Sequence, residues 1–272
     1  MTDLTFDILD HIFGLLRSDP ESLIACSMAH PDFTPITERH QYYHTIVHAG
    51  ATSFSDSFKP ARLIELISAS PQIVNYVRVL QIEFTNISGC PPYNLRAPLL
   101  EDIACLLPRF PVIECLMLSS EQPFLRWQDL PNNLRTAVED CLHLPTLQEL
   151  HVGQLNLPLS ILDKNANINL LSIFGNPQIT EYPDATYPQL KTLSVHGIDY
   201  SFIRPLVTWA NQRIGNLQSL EIDCAQSEKT LAFLEACSDT LENLHVTFWS
   251  PASELSPVLG FSVAEYPRRH KV

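Results

Sequence analysis

Leu190-Lys191-Thr192-Leu193-Ser194-Val195 decides the fold, because the chain writes the same pattern at Val77–Ile82, Ile113–Leu118, Leu147–Val152, Ile168–Ile173, Leu217–Ile222 and Leu241–Val246. Each copy is an aliphatic residue, two free residues, a leucine, one free residue and a second aliphatic. The starting positions 77, 113, 147, 168, 190, 217 and 241 are separated by 36, 34, 21, 22, 27 and 24 residues. Steps of this size predict stacked units, each one strand plus a connector.

Within a copy the leucine and the last aliphatic stand two apart, so both point to one face of a strand. Leu80/Ile82, Leu116/Leu118, Leu150/Val152, Leu171/Ile173, Leu193/Val195, Leu220/Ile222 and Leu244/Val246 are therefore expected to stack as the core of a curved parallel sheet. The opposite face carries two columns. One reads Gln81, Met117, His151, Ser172, Ser194, Glu221 and His245; the other reads Glu83, Ser119, Gly153, Phe174, His196, Asp223 and Thr247. Stacked repeats bind along such faces. A protein client is expected on Met117, His151, Phe174, His196, Glu221, Asp223 and His245, with a merely solvated sheet face as the alternative. Helical connectors are expected at 61–69, 99–107, 132–142, 202–214 and 229–237, the last two capped by Ser201 and Ser227. The steps of 21 and 22 residues leave little room for a full helix and predict a short turn or a 3₁₀ piece.

The first fifty residues follow a different rule. On a helix, Leu15, Ile8, Ile12, Leu16, Leu9, Phe13 and Phe6 spread over an arc of about 200° from Leu4. A surface helix facing one core needs an apolar stripe of roughly 100°. The excess predicts a second buried face, covered by another protein or by the rest of this chain, unless the first turn is not helical. Asp19-Pro20 caps and starts a second helix that ends before Pro31, and Thr34-Pro35 starts a third running to Tyr43. Thr45-Ile46-Val47 begins an extended segment. Three short helices cannot enclose a full core, so this unit has the character of an adaptor.

The residues Leu4-Thr-Phe-Asp-Ile8-Leu9-Asp-His-Ile12, Asp19-Pro20-Glu21-Ser22-Leu23-Ile24-Ala25-Cys26-Ser27 and Glu38-Arg39-His40, with Tyr42-Tyr43, resemble an F-box of the kind common in mushroom-forming fungi. The repeats resemble the irregular leucine-rich repeats that often follow one, although only Asn176 occupies their usual asparagine position. The resemblance implies a substrate-recognition subunit of a cullin-RING ubiquitin ligase. Leu4, Ile8, Leu9, Ile12, Phe13, Leu16, Leu23 and Phe33 would dock on the Skp adaptor, and through it on a cullin, while the repeats hold the client. Two positions depart from that family: Thr5 stands in place of a proline, where it can still cap the helix, and Phe33 stands in place of a tryptophan. The alternative is a ligase-independent repeat scaffold whose first helices cap the stack.

The expected layout is an α/β chain with an F-box-like unit over 1–48, a connection over 49–60 pinned by Phe54 and Phe58, an irregular leucine-rich-repeat solenoid over 61–250 and a tail over 251–272. Thirty acidic against seventeen basic residues give a net charge of −13, which argues against a nucleic-acid partner. No apolar run reaches the roughly 20 residues that cross a bilayer, and the first residues lack a secretory signal. Together with seven scattered cysteines and no C-x-x-C pair, these features predict a cytoplasmic or nuclear protein with reduced thiols. No cofactor, metal or catalytic motif is expected. His40, His44 and His48 would share one face of a continuous helix and could bind a metal. An exposed face without an ion is the better fit, because no acid or thiol beyond Glu38 is suitably spaced.

Overall fold

The computed structural model describes residues 5–50, 58–84, 97–120, 125–164, 167–175, 190–197, 217–224 and 240–248. Their frame is an eight-stranded parallel sheet whose strands lie side by side in chain order. The strands are β1 (His44–His48), β2 (Val79–Phe84), β3 (Cys115–Ser120), β5 (Glu149–Gly153), β7 (Leu170–Phe174), β8 (Thr192–His196), β9 (Ser219–Cys224) and β10 (Asn243–Phe248). Two-residue strands β4 (Leu125–Arg126) and β6 (Leu155–Asn156) pair separately. Between the main strands run helices α4 (Pro60–Ala69), α5 (Ala97–Leu106) and α6 (Asn132–Leu142). The fold class is mixed α/β. No helix among the described residues is long and apolar enough to cross a membrane.

The pairing register bears out the stacked columns. Leu80, Leu116, Leu150, Leu171, Leu193, Leu220 and Leu244 are successive partners, and so are Ile82, Leu118, Val152, Ile173, Val195, Ile222 and Val246. Helices α4 to α6 cover this face. Leu63 and Ile67 of α4, Leu100 and Ile103 of α5, and Leu134 and Val138 of α6 join the strand residues in one buried core. The first aliphatic of each copy anchors the chain as it enters its strand; Val77, Ile113, Leu147, Ile168 and Leu217 are fully buried.

Three consecutive strands are left by the same backbone turn. Gln154, Gly175 and Gly197 follow β5, β7 and β8, and all have positive φ, at 53°, 96° and 61°. Glycine adopts this left-handed region at little cost, whereas Gln154 holds it against a penalty of roughly 1 kcal/mol. The Gln154 N–H donates to the Phe174 carbonyl at 2.7 Å and the Gly175 N–H to the His196 carbonyl at 3.0 Å, so these two turns are tied to the next strand. Before β7 the short connector contains a 3₁₀ segment, Leu159–Lys164, one of the two forms that the 21-residue step predicts.

The N-terminal helices α1 (Phe6–Leu15), α2 (Pro20–Ala29) and α3 (Thr34–Gln41) form their own small core of Phe13, Leu23 and Ile36. Asp19 caps α2 as expected, its Oδ1 accepting from the Ser22 N–H at 3.1 Å. Two threonines act differently from the expectation. Thr5 occupies the position before α1 but its side chain makes no capping bond; its carbonyl accepts from Ile8 and Leu9 instead. Thr34 already lies inside α3, because a 3₁₀ turn over Pro31–Phe33 starts the coil earlier, and its hydroxyl donates to the Ser27 carbonyl.

From α3 the chain passes through Tyr42 and Tyr43 straight into β1, so the extended segment at Thr45–Val47 is the first strand of the sheet. Phe58 bridges its outer side, donating its N–H to the Ile46 carbonyl and accepting from the His48 N–H. This partly covers a parallel edge that would otherwise offer bare backbone groups. Leu4, Phe54, Asn176, Ser201, Ser227, the connectors at 202–214 and 229–237 and the tail at 251–272 lie outside the described residues.

Candidate functional site

Strand alternation puts three rows of side chains on the sheet face opposite the helices. The expected rows are present in register, Gln81 beside Met117, His151, Ser172, Ser194, Glu221 and His245, and Glu83 beside Ser119, Gly153, Phe174 and His196. A third row consists of His44, Val79, Cys115, Glu149, Leu170, Thr192, Ser219 and Asn243.

Its two ends differ in exposure. At the β1 end His48, Gln81 and His151 are buried, whereas Glu221 and His245 at the other end are exposed. Met117, Phe174 and His196 are half-buried. The face is therefore not uniformly solvated, and His151 offers little surface to a client. Of Asp223 only the backbone is described, partnered with Thr247. The Phe174 ring packs beside the turn at Gly197, 3.5 Å from where a Cβ there would stand, which is an ordinary contact distance; the φ of 61° is what favours glycine at that position.

The buried end is wired by hydrogen bonds. His44 Nε2 donates to Gln81 Oε1 at 3.1 Å, Gln81 Nε2 donates to Glu83 Oε1 at 2.5 Å, and His48 Nδ1 meets Glu83 Oε2 at 2.8 Å. The bond from His48 is the main reason the Glu83 carboxyl is held below its ordinary range. Burial pushes the His44 imidazole below its usual value, against the smaller pull of Gln81 and Glu83. Further along, Ser194 Oγ lies 2.7 Å from His196 Nε2 and donates to Glu221 Oε2 at 3.2 Å.

The three histidines at 40, 44 and 48 do not share a helix face. His40 ends α3, while His44 and His48 are in β1. His40 is tied on both sides, with Arg17 Nε donating to its Nδ1 at 2.8 Å and its Nε2 donating to Asp10 Oδ1 at 3.0 Å. Those roles belong to a neutral ring, and burial followed by the nearby Arg17 charge lowers its pKa accordingly. A different trio converges instead. One donor atom each from Cys115, Glu149 and His151 lie within 4.8 Å of one another. They come from β3 and β5 and include the third row, which the two-column reading of the repeats passed over. Aligning the copies on Leu116 and Leu150 would have placed Cys115 beside Glu149.

The second candidate surface is on the N-terminal unit. The wide apolar arc of α1 divides in two. Phe13 is buried, and Leu9 and Leu16 pack against the small core, whereas Ile8, Ile12 and Leu15 face solvent at 48%, 41% and 52% exposure. Phe6, Ile24 and Met28 are exposed as well, Met28 at 82%. Among the residues expected to dock, Ile8 and Ile12 are thus free on the surface. Leu23 is fully buried, and Phe33 is half-buried with its ring edge-on to Phe13 at 5.4 Å. Phe13, Leu23 and Phe33 hold the unit together from within. Leu15, Ile24 and Met28 were missed because the turn of each helix toward its own core cannot be read from one helix alone.

Compared with known proteins, the chain matches no family model and no curated protein.

Proposed function

We propose that the chain is a substrate receptor of a Skp-cullin-F-box type ubiquitin ligase, with α1 to α3 docking on the Skp adaptor and the sheet holding a protein client. The observation that carries this reading is the exposed apolar set Ile8, Ile12 and Leu15 on α1 with Ile24 and Met28 on α2. Large apolar side chains left to water at one turn's spacing mark a surface for another protein, and these helices lie in the stretch that resembles an F-box. In this reading the sheet is an irregular leucine-rich-repeat solenoid. Its in-register leucine columns and the recurring left-handed turn at Gln154, Gly175 and Gly197 support it. The receptor has no catalysis of its own. It raises the effective concentration of client lysines near an enzyme charged with ubiquitin.

One observation favours the scaffold reading. Only Tyr42 and Tyr43 separate α3 from the sheet, and the Arg17 guanidinium lies 3.8 Å from the centre of the Tyr43 ring, so the helices are joined closely to β1. A binding measurement between the purified chain and a Skp adaptor separates the two. The receptor predicts binding that Ile12→Asp or Ile8→Asp weakens at least tenfold without loss of helix content, because both side chains point to solvent. Leu9→Asp is a poorer probe, since Leu9 also packs on the inner core. A wild-type chain that does not bind would leave the scaffold.

A further inference from the structure

We propose that Cys115, Glu149 and His151 form a binding site for one zinc ion, or a divalent ion of similar softness, bridging β3 and β5. Glu149 and His151 flank Leu150 on one strand and so project from the same face. Cys115 is the register partner of Glu149 on the adjacent strand. The donor atoms thus come from three neighbouring positions of a rigid parallel ladder, although Cys115 and Glu149 are 34 positions apart in the chain.

The distances suit the ion. Tetrahedral zinc holds sulfur at about 2.3 Å and nitrogen or oxygen at about 2.0–2.2 Å, which sets ligand atoms about 3.4–3.6 Å apart. His151 Nε2 and Glu149 Oε2 already stand 3.7 Å apart. All three donor atoms fall within 4.8 Å, so closure asks for movements on the order of 1 Å. The thiol of Cys115 and the ring of His151 are buried, at 7% and 8% exposure for the whole residues, while the Glu149 side chain is 46% exposed. The ion would enter from the carboxylate side, and water would complete its coordination there.

The donor set also selects the metal. Thiolate and imidazole favour zinc and its borderline neighbours over magnesium or calcium, which take oxygen ligands. Without metal, burial and then the Glu149 charge push the Cys115 thiol far up, so it stays protonated and hydrogen-bonds to the carboxylate. Binding must release that proton, and affinity should therefore rise with pH.

Cobalt(II) titrated into the metal-stripped full chain under reducing conditions tests the site. One equivalent should bring up a thiolate-to-cobalt charge-transfer band with the strong visible bands of tetrahedral cobalt, and zinc should abolish both. Cys115→Ser should remove the charge-transfer band, while Cys26→Ser and Cys105→Ser, which alter the more accessible of the described thiols, should keep it. His151→Gln, a milder change, should weaken cobalt binding at least tenfold with the far-ultraviolet circular dichroism unchanged. Absence of the band in the wild-type chain, its survival in Cys115→Ser, or unaltered affinity in His151→Gln would each overturn the proposal.

Discussion

Replacing one leucine of the repeat at two places, Leu150→Ala and Leu244→Ala, tests whether burial across the stack follows the register. The two residues occupy the same position in their copies, yet Leu150 is fully buried and Leu244 is 51% exposed. Leu150 lies between Leu116 and Leu171, both also fully buried, in ladders that hold the strands in place on either side. Removing its three carbons costs about 2.4 kcal/mol in transfer at about 0.8 kcal/mol per carbon. The cavity left in a frame that cannot collapse raises the cost to about 3–5 kcal/mol. At Leu244 the transfer loss is halved to about 1.2 kcal/mol, and water fills the gap, so about 1 kcal/mol is expected. Urea titrations followed by circular dichroism would read both values, with the denaturant slope checked for constancy. Costs equal to within about 0.5 kcal/mol, or a cost below about 2 kcal/mol at Leu150, would refute the reasoning.

Acid should destabilise the protein in two steps. His40 and His44 have folded pKa values below the ordinary imidazole value of about 6.5, so the unfolded chain takes up protons first as pH falls. Their contribution is complete above about pH 6.5 and is lost as pH falls through the folded values; Glu83, also lowered, adds a further loss below its unfolded value of about 4.3. Urea midpoints measured across this range should fall with acid, and His44→Gln should flatten the upper part; a flat wild-type profile there would count against the burial of both rings. Thiol accessibility offers an independent check by mass spectrometry of the native protein treated with iodoacetamide. Among the described cysteines, Cys105, exposed, should react first and half-buried Cys26 more slowly. Cys115 and Cys141 should stay protected, since burial leaves both protonated and raises Cys141 to about 12; prompt labelling of Cys141 would show that the α6 contact with the sheet opens readily.

The sheet was legible because its signal repeats. Any one copy, such as Ile168–Ile173, could belong to a strand or a buried helix, but seven aligned copies fix both the face and the register. Helix α6 was equally plain: Asn132–Leu142 follows Pro131 and carries Leu134, Val138 and Cys141 on one buried side. The place of β1 was not readable, since His44–His48 lacks the repeat's leucine and joins the sheet through Thr45 and Val47. Strands β4 and β6 are two residues each, too short for any periodic signal, although Leu125 and Leu155 are buried there. The polar wiring escaped for a different reason. Hydrogen bonds such as Gln81 to Glu83 and pairs such as His48 with Glu83 depend on rotamers and on burial, and burial of polar residues on a sheet face is contrary to the usual pattern.

Strands that lie side by side in the order of the chain have a bearing on biosynthesis. A nascent polypeptide leaves the ribosome from its N-terminus, and here every main strand after β1 is laid beside one already synthesised. No described strand of this sheet has to wait for its first neighbour to be translated later. The growing edge is a template at each stage, and the loop to be closed is only the connector just made. Among the described strands, assembly concurrent with translation would add β10, with its half-exposed Leu244, after all the others, and make it the most easily detached of them.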